Sequence, residues 1–253
     1  MPDEPAPAPE PAPAPEPAPA PELVEGPASD ETRRLSGRTV LVAGATSASG
    51  HTATRALLAA GARVVAVGHD PAKLAALAGL GARAEACDLT CHDAVLELAM
   101  RVRHEVGRVD GILHLVGGWR GGGGLAGQTD DDFRVLEHSL TALRHVSRAF
   151  DDDLRASDAA RTAIVSSTAV ARPLAGGANY AAVKAASEAW MRAVAQGFAK
   201  AARDAEQPLR AASVVFRVKS LAGIEDSLAD AFVALWSADA AVVNDTVIEL
   251  APS

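Results

Sequence analysis

From Arg38 onward, short runs of apolar residues alternate with longer segments in which apolar positions recur with helical spacing. Continuous apolar runs are typical of strands buried on both faces, and the longer amphipathic segments are typical of helices. The predicted strands span residues 38–43, 63–67, 82–87, 111–116, 162–167, 209–216 and 246–250. The predicted helices span residues 50–60, 73–80, 92–106, 130–150, 178–203 and 226–236.

This alternation predicts an α/β fold built on a single Rossmann-type sheet, doubly wound and parallel, with about seven strands. Parallel neighbours need crossover connections, and right-handed crossovers place helices on both faces of the sheet. In such sheets a ligand binds beyond the carboxyl ends of the strands, where the strand order reverses. The residues that follow each strand are therefore the first candidates for a functional site.

The first part of the chain has a different composition. Residues 5–22 are three copies of Pro-Ala-Pro-Ala-Pro-Glu, and 11 of the 15 prolines lie within the first 27 residues. Alternate residues without an N–H donor cannot build a helix or a sheet ladder, so this segment favours an extended, polyproline-II-like conformation. We predict a disordered Pro/Ala/Glu tail over residues 1–35 and one folded domain over residues 36–253.

The charges exclude several classes of partner. The first 31 residues hold eight acids and no Lys or Arg, which leaves 24 acids against 24 bases in the rest of the chain. A neutral domain lacks the basic surface that binds nucleic acid or anionic lipid. No long uncharged apolar stretch predicts a membrane span, and no signal peptide is recognisable. The two cysteines, Cys87 and Cys91, form no zinc motif, and we expect no metal and a cytoplasmic protein with reduced thiols.

The segment after the first strand contains a glycine-rich turn that leads directly into a helix. It reads Ala-Gly-Ala-Thr-Ser-Ala-Ser-Gly over residues 43–50. Glycines let the backbone turn sharply beside a pyrophosphate, and the helix that follows offers free N–H groups to it. The residues of this turn predicted to contact a dinucleotide are Gly44, Thr46, Ser47, Ser49 and Gly50.

A second candidate constellation lies around the fifth strand and the helix that follows it. Tyr180 and Lys184 are four residues apart, so they share one face of the predicted helix 178–203. A nearby ammonium stabilises phenolate and lowers the pKa of a tyrosine, which can then exchange a proton with a carbonyl oxygen. Tyr180 is the only tyrosine of the chain, and Ser167 ends the strand 13 residues before it.

The glycine turn and the Ser167, Tyr180 and Lys184 set, in this order, resemble the short-chain dehydrogenase/reductase family over about residues 36–250. The resemblance implies an oxidoreductase that transfers a hydride between a nicotinamide cofactor and a carbonyl or alcohol. It implies that Tyr180 is the general acid/base, that Ser167 binds the substrate oxygen and that Lys184 holds the nicotinamide ribose. It also assigns cofactor contacts to Asp88, Leu89, Val116 and Gly117.

The end of the second strand bears on the choice of cofactor. NAD binders of the family usually carry Asp where this chain has Gly68, and NADP binders often carry Arg where it has His69. An acid there would repel a 2′-phosphate. We therefore expect NADP(H) to be preferred, with NAD(H) possible, and we interpret the acid that follows, Asp70, as a helix cap before Pro71.

Several positions depart from the family pattern. The middle glycine of the turn is Ala48, and the motif after the fourth strand, Asn-Asn-Ala-Gly in the family, begins here with His114. Ser139 stands where the family has the asparagine that anchors a proton-relay water. The Pro-Gly after the sixth strand is absent, and so is most of the segment that covers the substrate in relatives.

These departures leave two hypotheses open. The first is an active oxidoreductase, and the second is a degenerate nucleotide-binding or assembly module that kept only the fold. Trp119 and Arg120, in the loop Gly-Gly-Trp-Arg-Gly-Gly-Gly-Gly of residues 117–124, belong either to a plain surface loop or to a substitute substrate wall. The long helices 130–150 and 178–203 predict a homodimer or homotetramer, as in relatives.

Overall fold

The computed structural model describes residues 34–251. Seven strands are present, and they are β1 (Thr39–Ala43), β2 (Arg63–Gly68), β3 (Arg83–Ala86), β4 (Gly111–His114), β5 (Arg161–Ser167), β6 (Ala212–Val218) and β7 (Thr246–Leu250). The helices are α1 (Ala48–Ala59), α2 (Pro71–Gly79), α3 (His92–Glu105), α4 (Asp130–Ala149), α5 (Asp151–Ala156), α6 (Ala178–Asp204), α7 (Glu225–Ala234) and α8 (Ala240–Val243).

The strands form one parallel sheet in the order β3-β2-β1-β4-β5-β6-β7. The chain winds outward from β1 in one direction as far as β3, and then returns to the other side of β1 with β4. The order therefore reverses between β1 and β4, which is where a doubly wound sheet opens a crevice for a ligand. This confirms the predicted Rossmann-type α/β fold.

The core lies on both faces of the sheet because successive residues of a strand point to opposite sides. In β1, Val40 and Val42 pack on the face covered by α1 and α7, whereas Leu41 and Ala43 pack on the face covered by α3 and α4. All four are fully buried. Burial on both faces explains why the strands read as continuous apolar runs rather than as alternating ones.

The last predicted strands and helices differ from the structure at their ends. The predicted strand 209–216 corresponds to β6, which starts three residues later and ends two residues later, because Arg217 continues the ladder opposite Ser166 of β5. A charge inside a strand resembles a strand end in sequence, but this charge is neutralised by Glu188 of α6. The short helices α5 and α8 were not predicted, and α5 starts directly after Phe150, where α4 ends.

The predicted tail lies almost entirely outside the described residues, since the structure begins at Arg34. Leu35, which the predicted boundary placed in the tail, is fully buried and its amide donates to the carbonyl of Ala60. Both cysteines are free thiols. Over residues 34–251, none of the helices combines the length and the apolar character that crossing a bilayer requires.

Candidate active site

The turn between β1 and α1 requires its two outer glycines. Gly44 has φ +81°, in the left-handed region. A side chain at Gly50 would overlap the backbone carbonyl of Ala45, so this position admits no Cβ. Ser47 caps α1 by accepting a hydrogen bond from the amide of Gly50 at 3.0 Å. Ala48 is exposed at the first position of α1, where its methyl group points to solvent.

The other two predicted contacts of the turn differ in accessibility. Thr46 is half-buried, and Ser49 is buried on the inner side of α1. The amino end of α1 therefore presents a tight turn whose anion-binding capacity comes from backbone N–H groups and the helix dipole. Thr46 and Ser47 are the side chains at its surface.

The ends of β2 and β3 lie next to this turn. His69 is exposed, and Asp70 caps α2 through its carboxylate, which accepts from the amides of Ala72 and Lys73. A Cβ at Gly68 would come within 2.9 Å of Thr46 Cγ2, so an acid at that position would displace Thr46. The absence of an acid at Gly68 thus has a steric reason in this chain.

The adjacent pair Asp88 and Leu89 follows β3. Two hydrogen bonds from Thr90 lower the pKa of Asp88, which keeps this exposed carboxylate ionised. Leu89 is buried and packs in the core under α3 and α4. Of this pair, Asp88 is therefore the polar group available at the surface of the crevice.

The structure brings Ser167, Tyr180 and Lys184 together at the carboxyl end of β5. Ser167 is the last residue of the strand, and Tyr180 and Lys184 occupy the first turns of α6, which packs on it. All three line one cavity. The Lys184 ammonium donates to the carbonyl of Val165 at 2.8 Å and lies 5.8 Å from the centroid of the Tyr180 ring.

The expected lowering of the Tyr180 pKa by Lys184 is not what the structure shows. Burial raises the pKa of Tyr180, and the hydroxyl of Ser167, which lies close enough to hydrogen-bond the phenol, opposes this rise. Burial also lowers the pKa of Lys184 to about 8, against the opposing charge of Glu188. The Lys184 ammonium hydrogen-bonds to the backbone carbonyl of Val165 and is itself desolvated. The Tyr180 phenol therefore stays protonated near neutral pH.

The two substituted positions, His114 and Ser139, contact each other. Nε2 of His114 lies 3.3 Å from the backbone carbonyl of Ser139, and a carbonyl only accepts, so Nε2 must carry the proton. The Ser139 hydroxyl donates to the carbonyl of Leu136 at 2.7 Å. The hydroxyl proton of Ser139 is therefore engaged, so the predicted water at this position could not accept a hydrogen bond from it. Nδ1 of His114 is buried without a partner, and beside it lies a cavity of about 10 Å³ that Lys184 also lines.

Burial lowers the pKa of His114 to about 4, well below that of a free imidazole. The unfolded chain then binds more protons than the folded one between pH 4 and 6.5, so stability is lost as the pH falls through this range. We expect the free energy of unfolding to drop by roughly 3 kcal/mol from this group. Urea unfolding of the wild type and of His114→Gln, which keeps an N–H donor but cannot ionise, measures it. Equal pH dependence of the two proteins would contradict the prediction.

A buried ion pair behind the site was not predicted. Glu188 lies one turn after Lys184 on α6, is 2% exposed, and accepts hydrogen bonds from Arg217 at 2.6 and 2.9 Å and from Ser166 at 2.7 Å. These hydrogen bonds outweigh the effect of burial and lower the pKa of Glu188. The pair joins α6 to β5 and β6 beneath the catalytic candidates. Helical spacing from Lys184 was the sequence signal that could have indicated Glu188.

The loop of residues 117–124 closes one side of the cavity. The amide of Gly122 donates to the carbonyl of Gly176 at 2.7 Å, which ties the loop to the segment before α6. Trp119 lines the cavity with its ring 61% exposed, whereas Arg120 does not line it and faces Asp132 at 3.9 Å. Val116 and Gly117 also line it, and Gly117 faces the ammonium of Lys184. The loop thus forms part of the cavity wall at Trp119 but not at Arg120, and a substrate-binding role for Trp119 stays a prediction.

The cavity has a volume of about 1070 Å³ and opens to solvent above the carboxyl ends of β4, β5 and β6. Only residues 219–224 connect β6 to α7, so in the described part of the chain this connection is too short to cover the cavity. Two cations that the sequence analysis did not single out line it, Arg172 after β5 and Lys219 after β6. Neither belongs to a recognisable motif, and only the folded positions of the two loops place both at the same cavity.

The class of protein follows from the fold together with the site, which consists of the glycine turn and of Ser167, Tyr180 and Lys184. Comparison with known sequences identifies this class. The chain belongs to the short chain dehydrogenase family, whose model matches residues 38–202. A stretch of 91 residues is 41% identical to a candidate daunorubicin C-13 ketoreductase of Streptomyces sp. (strain C5). That stretch covers 33% of this chain and 32% of the Streptomyces protein, so the chain matches about a third of that relative.

Solved structures show the same fold. A candidate short chain dehydrogenase from Pseudomonas syringae superposes with a TM-score of 0.75 at 25% identity, over 86% of this chain and 96% of that one. A short chain oxidoreductase from Pseudomonas aeruginosa PAO1, solved with NADPH bound and described as having an atypical catalytic centre, gives 0.73 at 20%, over 85% and 96%. A candidate dehydrogenase from Shigella flexneri 2a str. 301, complexed with NADP, gives 0.75 at 19%, over 86% and 98%.

Proposed function

We propose that this oxidoreductase transfers a hydride between NADP(H) and a carbonyl or alcohol substrate, with Tyr180 as the general acid/base. The observation that carries the proposal is the meeting of the Ser167 hydroxyl, the Tyr180 phenol and the Lys184 ammonium at the floor of one open cavity. Among the described residues, no three or more His, Cys, Asp or Glu side chains are grouped so that they could hold a metal ion. Family membership and the ketoreductase relative support the same reaction class.

The residues at the sheet's crevice fit a dinucleotide. The turn at Gly44 and Gly50 leaves room for a pyrophosphate at the amino end of α1, with Thr46 and Ser47 at its surface. Asp88 would accept from the adenine, and Val116 and Gly117 would line the path to the nicotinamide. When bound, the cofactor supplies or accepts the hydride, and the protein orients it.

The chain's own residues handle the proton. Ser167 and Tyr180 both present hydroxyl groups to the cavity, where a carbonyl oxygen can accept two hydrogen bonds. Because burial keeps the phenol protonated, Tyr180 is set to give its proton to that oxygen as the carbonyl is reduced to an alcohol. Lys184 stabilises the phenolate that remains, and Ser167 hydrogen-bonds to it.

The direct test is NADPH consumption in the presence of a panel of aldehydes and ketones, followed by absorbance. Calorimetric titration with NADPH and NADH is run alongside, because it separates binding from turnover. We expect NADPH to bind and at least one carbonyl compound to be reduced. Binding of a dinucleotide with no turnover across the panel would favour the nucleotide-binding module instead, and absence of any binding would reject the oxidoreductase and favour an assembly module that kept only the fold.

The preference for NADP(H) depends on His69, the exposed side chain at the end of β2. We expect His69→Ala to weaken NADPH binding about ten-fold and to leave NADH binding unchanged. Such a factor corresponds to the loss of one hydrogen bond to a charged group, here the 2′-phosphate. Lys73→Ala on the same side of the sheet is the matched control, since Lys73 faces Asp70 at 3.8 Å. A parallel loss of NADH affinity in His69→Ala would contradict the assignment.

A further inference from the structure

The ionisable side chains that line the cavity carry charge of one sign. They are His114, Arg172, Tyr180, Lys184 and Lys219, and no Asp or Glu of residues 34–251 lines it. Since His114 and Tyr180 are neutral near pH 7, the described part of the cavity wall carries three cations and no carboxylate. This is a strong local asymmetry in a folded region whose acids and bases balance. Concave sites with charge of one sign focus the field and concentrate ligands of the opposite sign.

Arg172 and Lys219 have nothing in the described part of the chain to neutralise them. Other arginines have an acidic partner. Arg217 pairs with Glu188, and Arg120 lies 3.9 Å from Asp132. Neither Arg172 nor Lys219 takes part in an ion pair or a side-chain hydrogen bond between residues 34 and 251. Lys184 is different, because its ammonium is held by the carbonyl of Val165 at the cavity floor. The two free cations thus stand at the cavity's opening.

The rest of the opening is apolar. Trp119 and Leu174 line the cavity and are 61% and 77% exposed, and Leu221 lies on the side of β6. Large apolar side chains left this exposed around a concavity mark a surface that a ligand covers. An aromatic or aliphatic body can pack on Trp119 while a charged end meets Arg172, whose planar guanidinium binds a carboxylate in bidentate fashion.

We propose that the substrate is a carbonyl compound with an apolar body and a carboxylate, bound with its carbonyl at Tyr180 and its carboxylate between Arg172 and Lys219. The inference rests on the proposed function for the reaction, but the anion site itself does not depend on turnover. The competing anion is a phosphate of the dinucleotide, since Lys219 directly follows β6, at the edge of the crevice. The experiment below separates the two.

The probes are 4-carboxybenzaldehyde and its neutral methyl ester, which share the ring and the aldehyde, whereas a methyl group replaces the negative charge of the acid in the ester. Calorimetric titration of each into the full chain saturated with NADP+, which cannot reduce the aldehyde, gives the first readout, and the kcat/KM of NADPH-dependent reduction gives the second. We expect the acid to bind at least about ten-fold more tightly than the ester, the factor for charge-assisted hydrogen bonds. We expect this preference to fall with added salt.

Two variants locate the site. Arg172→Gln and Lys219→Gln should each reduce affinity for the acid about ten-fold while leaving affinity for the ester unchanged. Arg203→Gln is the matched control, because Arg203 is an exposed arginine at the far end of α6. Both loop residues are exposed, so their replacement leaves the core intact.

The outcomes separate the proposals. Equal binding of the acid and the ester by the wild type overturns the carboxylate site. A rise in the Kd for NADPH in Arg172→Gln and Lys219→Gln, with the acid preference retained, also overturns it and assigns these cations to the cofactor. Selective binding of the acid without reduction of either aldehyde supports the anion site and counts against the oxidoreductase mechanism instead.

Discussion

Tyr180→Phe is expected to abolish nearly all turnover while leaving NADPH affinity unchanged. The substitution removes one oxygen from a half-buried ring, and the ring continues to pack beside Lys184. Only the proton donor is lost, and a positioned general acid contributes about 10²- to 10⁴-fold. The expected result is therefore a loss of kcat of about that size, with the Kd for NADPH unaltered.

The measurement is steady-state reduction of whichever carbonyl compound the wild type accepts, together with calorimetric titration of NADPH. Ser167→Ala is an informative companion, because Ser167 supplies a hydrogen bond but no proton, and its loss should cost less. Retention of at least half of the wild-type kcat by Tyr180→Phe would remove the proposed role of the phenol. Loss of NADPH binding would instead indicate damage to the crevice.

The second large effect is expected on stability. Glu188→Ala removes a carboxylate that is 2% exposed and leaves Arg217 and the buried hydroxyl of Ser166 without their partner. Breaking a buried pair from one side costs about 3–5 kcal/mol, and we expect about 3 because the Arg217 side chain is 18% exposed and keeps some access to water. Urea unfolding followed by circular dichroism measures the loss.

Glu97→Ala on α3 is the control for that experiment, since Glu97 is also a helical glutamate but is exposed. Its replacement should change the free energy of unfolding by less than about 0.5 kcal/mol. If the two variants unfold at the same urea concentration, the pair of Glu188 and Arg217 does not hold α6 to the sheet. In that case the position of Lys184 must depend on its bond to Val165 alone.

The order of strands and helices could be predicted because each element carries its own local signal. Buried parallel strands such as β1 are continuously apolar, and helices such as α1 begin at a capping serine, here Ser47, after a glycine turn. Topology then follows from the handedness of crossover connections. The juxtaposition of Ser167 with Tyr180 could be predicted as well, but from the family resemblance, since their spacing of 13 residues matches that of the family.

What could not be predicted depends on burial and on contacts between distant segments. The pKa of Tyr180 rises because the fold desolvates the phenol, and no local pattern measures desolvation. Arg217 and Glu188 are 29 residues apart, and no local sequence pattern pairs them. Only the packing of β6 against α6 brings their side chains into contact. A symmetric dimer or tetramer through α4 and α6 stays a prediction, because such an assembly depends on surfaces that a single chain does not test.

The short connection between β6 and α7 has a consequence for ligand size. Six residues, 219–224, cannot fold over a cavity of about 1070 Å³, so within residues 34–251 this connection leaves the cavity open to solvent. Length alone then excludes few compounds, and multi-ring molecules can protrude past Leu174 without a clash. For the proposed reaction, we expect selection to depend on the substrate groups that contact the cavity wall, and we expect the product to leave without movement of residues 219–224.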